Sequence, residues 1–238
     1  MGVGQIKIAF RSDFENVGVG MKKTLALIFM LIDHIGMILF PNCIILRIIG
    51  RLSMPLFAYG IARGYNKANQ KKCVFQYAKR LFWFSLISQI PYGVLSVWVF
   101  DEFSLNIGFT WLFSVGVMYL LDRDINVRSV SLILIILTAS LTFNIDYGFY
   151  GVLLPALIYR YMIKTTDKKQ YVFFGMGILT APYILLTRKI IQIFALASFL
   201  LLLIPAEAES KLRLPKNIYY WFYPIHISVL LFLKYILV

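Results

Sequence analysis

The sequence predicts an all-α, polytopic integral-membrane helical bundle. Three observations lead there. Hydrophobic residues fill 60% of the 238 positions and charged residues only 15%, where soluble domains hold roughly one-quarter charged residues. The apolar residues run in long stretches between short basic segments, the pattern of helices that cross a bilayer. Phe, Tyr and Trp make up 16% of the chain, which suits the aromatic belts of membrane–water interfaces.

About nine spans of near bilayer length succeed one another. They fall at 24–40, 48–62, 81–100, 107–121, 129–143, 149–163, 171–187, 190–205 and 217–237. The first ends at the Pro41-Asn42 turn. The second is short and lies beside polar residues, which marks a broken or re-entrant segment. The seventh and eighth are joined by a tight hairpin at Thr187-Arg188-Lys189. Residues 1–21 are mixed and glycine-punctuated and read as a flexible or peripheral tail. Residues 22–238 form a single transmembrane domain. The tail has no apolar core with a small-residue cleavage site, so it is not a signal peptide. It also lacks the Ser or Thr of a myristoylation signal.

The net charge of +13 does not point to nucleic acid, because the cations sit in short loops and no soluble domain is present to form a groove. They act as topology signals instead. With the amino terminus inside, the inner segments hold nearly all Lys and Arg. The outer segments and span interiors hold only Arg47, Arg51, Arg188, Lys189 and Lys234. This is the positive-inside asymmetry, and it places the carboxyl terminus outside. Cys43 and Cys73 fall on opposite sides and cannot pair, and no Cys/His metal pattern occurs. Walker, Rossmann and GxSxG signatures are absent.

The chain has only two histidines, His34 and His226, and both lie inside apolar spans. An ionisable group in hydrocarbon is costly and is a functional-site candidate by default. His34 is eleven residues after Lys23, roughly 16 Å along a helix and near the middle of a ~30 Å core. A neutral imidazole there can serve as general base, or it can hold helices together by a hydrogen bond. Asp33 precedes it and points about 100° away, towards a partner such as Arg51. Arg51 follows Gly50, a close-approach point, and is either a snorkelling cation or the cation of a polar pocket. Pro55 kinks the same segment. His226 is about ten residues into the last span, after the aromatic run Tyr219–Tyr223 and Pro224, and Tyr223 shares its helix face at i,i+3.

The segment Arg63–Arg80 carries six cations in eighteen residues, including Lys79 and Arg80. It can contact anionic lipid or dock a phosphate-rich donor. Asn106 opens the fourth span, and Asp146 is a carboxylate in a glycine-rich turn at the outer end of the fifth.

Five groups of residues together resemble the TraX family. They are Lys23…Asp33-His34, Gly50-Arg51-x-x-x-Pro55-x-Phe57, Tyr77…Arg80-Leu81, Asp146-Tyr147-Gly148-Phe149-Tyr150-Gly151 and Phe222-Tyr223-Pro224-x-His226. The eponymous member of that family acetylates the amino terminus of conjugative pilin. Lys23-x10-His34 is also similar to the basic-x10-His signature of acyltransferase-3-type membrane enzymes. Heparan-α-glucosaminide N-acetyltransferase is a more distant mechanistic relative.

The resemblance implies a multi-pass acetyl (acyl) transferase of the bacterial cytoplasmic membrane, with its amino terminus cytoplasmic. It implies acetyl-CoA as donor, no metal, and a peptide, pilin or envelope-glycan acceptor. It makes His34 the catalytic base, with Asp33, Arg51 and His226 around it. Lys23, Arg63, Lys79, Arg80 and Tyr223 become donor-binding candidates, and Asp146 and Asn106 acceptor-binding candidates. The residues alone also admit a proton-coupled transporter using Asp33, His34, Arg51 and His226 as a relay. No inverted repeat accompanies that reading.

Overall fold

Asn106 and Asn126 cap helix starts in this chain, and Pro55 stands at a helix break, whereas Pro91, Pro155, Pro182 and Pro224 lie inside helices. The structure, a computed structural model, describes residues 3–123, 125–165, 168–204 and 216–237. Helix α1 (Val3–Ile38) is unbroken, because the first proline comes only at Pro41. The backbone expected to be a flexible or peripheral tail is therefore helical from Val3 onward. After a turn come α2 (Ile44–Gly50) and α3 (Ser53–Gln70). Pro55 cannot donate to the Arg51 carbonyl one turn back, and the helix breaks there. The short second span is thus broken at Arg51-Leu52 and is longer than expected at both ends.

Helix α4 (Val74–Phe100) has 27 residues, roughly 40 Å. Helix α5 (Ile107–Leu121) starts where the Asn106 side chain accepts the Gly108 N–H at 2.8 Å. Asn126 opens α6 (Val127–Thr142) in the same way, accepting from Ser129 at 2.9 Å. Helix α7 (Gly148–Ile158) widens into a π-helical turn, Tyr159–Lys164. Helix α8 (Gln170–Thr187) is followed by a 3₁₀ stretch, Ile190–Ala197, that runs into α9 (Ser198–Leu203). Helix α10 (Lys216–Leu237) completes the described chain. By length and composition, four helical segments among the described residues suffice to cross a membrane: Ile44–Gln70, Val74–Phe100, Gln170–Thr187 and Ile218–Leu237. Three shorter apolar helices, Ile107–Leu121, Val127–Thr142 and Ile190–Leu203, pack with them. The architecture is a helical membrane bundle.

The two ends of the bundle are built differently. At the end carrying the basic loops, the Asp122 carboxylate gathers Tyr65 at 3.0 Å, Asn69 at 3.0 Å, Tyr159 at 2.6 Å and Lys164 at 2.5 Å. One side chain thereby ties α3, the end of α5 and the π-helical turn. Lys22 donates to the Ile204 carbonyl at 2.6 Å and closes the bundle between α1 and α9. At the far end, the α4–α5 and α6–α7 connections pair as a parallel bridge, Leu105 with Ile145. Leu105 N–H donates to Asn144 at 3.1 Å, and Asp146 N–H to Leu105 at 2.9 Å.

That bridge is not a surface feature. Asn106 donates to the Ser85 carbonyl at 2.8 Å, and Gln89 donates to the Ser104 carbonyl at 2.9 Å. Gln89 lies eleven residues before the end of α4, roughly 16 Å down the helix. The connection 101–106, an outer loop by its sequence, therefore descends beside α4, and α5 starts level with the middle of that helix. Irregular backbone at such depth is stable only where protein or a wet cavity satisfies it. Here Gln89, Ser96 and Tyr92 do so for Ser104.

The core is filled by Tyr65, Tyr150, Leu56, Leu95, Met118 and Leu154, all fully buried. Trp83, Ile90, Ile178 and Phe232 point outward, as lipid-facing side chains do when lipid is the solvent. The Asp122 knot yields a test. Burial pushes its carboxyl up, but the bonds from Lys164, Tyr159 and Tyr65 outweigh this and hold it below its usual value. A depressed carboxylate stabilises the fold above its unfolded pKa of about 4 and ceases to do so as pH falls through the folded value. Asp122→Asn is expected to lower the thermal midpoint in detergent at pH 7. The gap from the parent protein should close only below about pH 4. A gap constant down to pH 3 would contradict this role.

Candidate functional site

The site begins with a charge cluster between α1 and the α2–α3 break. Arg51 Nη2 lies 2.6 Å from each oxygen of Asp33. Arg47, one turn earlier, reaches Asp33 Oδ2 at 3.1 Å and its main-chain carbonyl at 3.1 Å. The i,i+4 spacing puts both arginines on one face. Asp33 and Arg51 are only 7% and 4% exposed, so neither charge could stay there without the other. Gly50 makes the approach feasible: a Cβ on it would lie 2.3 Å from Asp33 Cβ and Oδ1. Gln192 Oε1 receives Arg51 Nη1 at 3.4 Å, and the guanidinium sits 5.8 Å from the centre of the Tyr147 ring. Tyr147 itself holds φ 61°, a left-handed backbone that costs a bulky residue energy and that clusters at functional sites.

His34 turns from α1 towards α10. Its Nδ1 lies 2.7 Å from His226 Nε2, and His226 Nδ1 lies 2.6 Å from the Phe222 carbonyl oxygen. A carbonyl only accepts, so His226 Nδ1 carries its proton. In the neutral ring Nε2 is then an acceptor and takes the hydrogen of His34 Nδ1. This leaves His34 Nε2 with a lone pair and no proton. Phe222 stacks on His226 at 4.8 Å, and Tyr223 stands edge-on to both imidazoles at 6.2 and 5.8 Å.

His34, Asp33 and Arg51 line a cavity of about 730 Å³ that opens at the far end of the bundle. Asp146 lines it too, its backbone fixed by the Leu105 bridge and by Thr110, which donates to its carbonyl at 2.6 Å. His226 and Tyr223 stand behind His34 and do not border the cavity. Asn106 is fully buried outside it, its side chain given to Ser85, Gln89 and the α5 cap. Lys23, Arg63, Lys79 and Arg80 are also absent from its walls. Lys23 stands 5.7 Å from the Tyr219 ring, and Lys79 and Arg80 are exposed near the start of α4. The structure thus gathers the proposed catalytic residues at one end and leaves the proposed donor-binding cations at the other.

Three features of the site go beyond the sequence reading. Arg47 is the second cation on Asp33, and its four-residue spacing from Arg51 is the signal that could have found it. The Phe222 carbonyl and the strained Tyr147 backbone leave no mark in a single sequence.

The sequence model of the TraX protein family matches residues 20–234. An uncharacterized protein of Rickettsia prowazekii (strain Madrid E) is 52% identical over 50 residues, 21% of this chain. The match spans 19% of that protein's length. No solved structure matches the chain.

The charge cluster predicts a non-additive mutant pair. Asp33→Ala strands the buried Arg51 guanidinium and leaves the partly exposed Arg47 without its carboxylate, and is expected to cost about 3–5 kcal/mol in detergent unfolding. Asp33→Leu combined with Arg51→Met removes the pair together and should recover most of that loss. Equal losses in the single and double variants would show that the pair does not hold the helices.

Proposed function

The chain belongs to the TraX family, and from that premise we propose that it is an integral-membrane acetyltransferase with His34 as general base. The observation that carries this reading is the directed chain from the Phe222 carbonyl through His226 to His34. It leaves an unprotonated Nε2 on the residue that borders the cavity. Such a nitrogen is what removing a proton from an acceptor amine or hydroxyl requires.

Acetyl-CoA is the proposed donor, supplying an activated acetyl group. Lys23, Arg63, Lys79 and Arg80 suit its phosphates by charge, and the last two are exposed. The bundle would sit in a bacterial cytoplasmic membrane with its basic end and amino terminus in the cytoplasm. The acceptor would come through the cavity at the other face, with Asp146 on its path. His34 takes the acceptor proton at Nε2. Its Nδ1–H remains bonded to His226, which spreads the new positive charge along the pair. His34 then returns the proton to the departing thiolate, so the imidazole ends neutral. Asp33, held by Arg47 and Arg51, fixes the helix turn that carries His34, so the base does not have to be ordered during reaction.

The test is release of free thiol from acetyl-CoA by protein in nanodiscs, supplied with bacterial envelope extract as acceptor. His34→Ala is expected to lower the rate at least 10²-fold with the protein still folded and donor binding retained. Arg80→Ala should weaken donor binding instead. His226→Gln, which still offers an acceptor to His34 Nδ1, should retain more activity than His226→Phe. Full activity in His34→Ala would overturn the assignment.

A further inference from the structure

The bundle is stripped of cations at its far end, as topology demands. Among the described residues, five Lys and Arg lie in that half: Arg47, Arg51, Arg188, Lys189 and Lys234. Four of the five line the cavity already described, and the fifth, Lys234, packs 5.5 Å from the Trp98 ring instead. A cation on the translocated side works against insertion, so four converging on one hollow need a local reason. Three carboxylates share the cavity, Asp33, Glu102 and Asp146, which leaves one positive charge in excess. Asp33 is consumed by Arg47 and Arg51. Arg188 and Lys189 are exposed at the rim and make no ion pair within the described residues.

The remainder of the rim has the opposite character. Phe100, Leu141, Leu186 and Ile190 border the cavity and are 47%, 59%, 69% and 71% exposed. They belong to the lipid-facing ends of α4, α6 and α8 and to the stretch after α8. An aqueous mouth closed off from the bilayer would not be edged by large aliphatic side chains. A hollow with cations inside and an apolar, bilayer-facing lip matches an amphiphile, with its charged head in the hollow and its chains along the lip.

We infer that the cavity binds a phosphate-bearing lipid headgroup drawn from the leaflet at the far end of the bundle. Arg47, Arg188 and Lys189 read the phosphate, and the apolar rim guides the chains. This deepens the acetyltransferase reading by naming the acceptor's class: a lipid whose headgroup carries, beside its phosphate, a hydroxyl or amine that can reach His34. Lipid binding stands without that reading, and only the transfer of acetyl to the bound headgroup rests on it.

The test reads binding without any donor. Protein purified from nanodiscs of mixed phosphatidylglycerol and phosphatidylcholine is released into detergent, and the lipids it keeps are weighed by native mass spectrometry. The unaltered protein is expected to keep phosphatidylglycerol at least tenfold over phosphatidylcholine. Arg188→Gln with Lys189→Gln should abolish that preference, and the swap Arg188→Lys with Lys189→Arg should preserve it. Lys234→Gln, a cation at the same end but outside the cavity, should leave it intact. Preference unchanged in the Arg188/Lys189 Gln pair, or lost equally in Lys234→Gln, overturns the site. Soluble glycerol phosphate displacing the lipid completely would mean that a free anion, not a lipid, is the ligand, and that also overturns it. Lipid retained by a protein inactive towards acetyl-CoA would sink the transferase reading and leave this one standing.

Discussion

The arrangement depends on one buried interaction, the clasp of Asp33 by Arg51 and Arg47. Its energetics are severe because the surroundings are hydrocarbon and protein, and a lone charge there would cost several kcal/mol. The charges are therefore retained only as a set, and the set fixes the geometry between α1 and the α2–α3 break. Gly50 is the spacing element that lets Asp33 reach the arginines, and Pro55 makes the break that turns Arg51 inward. With this joint closed, His34 has one position relative to α10, and His226 meets it at 2.7 Å.

A second consequence concerns the proton. Two imidazoles in contact can each be protonated on either nitrogen, which would leave the chemistry of His34 undefined. The Phe222 carbonyl removes the ambiguity, since an acceptor at one end of the chain dictates every tautomer along it. The order of donors and acceptors runs from α10 to the cavity wall. His226 thus acts through His34, and a residue that never borders the cavity governs which His34 nitrogen carries the proton.

Much of this is legible in the sequence, and the limits have physical causes. Apolar period and length locate the helices because bilayer thickness enforces them, and the paired occurrence of Asp33 and Arg51 in apolar surroundings is enough to couple them. Arg47 is visible only as an outer cation, since its value lies in sharing Asp33 with Arg51. The loop 101–106 reads as outer because it is short and acidic at its start. Its descent depends on Gln89 and Ser85 of another helix, contacts that no local pattern encodes. The same holds for Asn106, whose side-chain bonds to Ser85 and Gln89 and to the Gly108 N–H come from its place in the bundle rather than from local sequence. Residues 1–21 read from composition as a flexible or peripheral tail, and the backbone from Val3 onward is helical.

The paired descending loops also bear on biogenesis. A chain entering the membrane span by span would at first leave 101–106 and 143–147 in water at the far face, because each is polar and joins two apolar helices. The Leu105–Ile145 bridge draws them inward only after α4, α5, α6 and α7 are together. The hollow is thus a product of helix association, not of insertion. In a chain whose helices have not yet associated, His34 has no vestibule beside it, because residues of α2, α4, α6, α7 and α8 together wall the cavity.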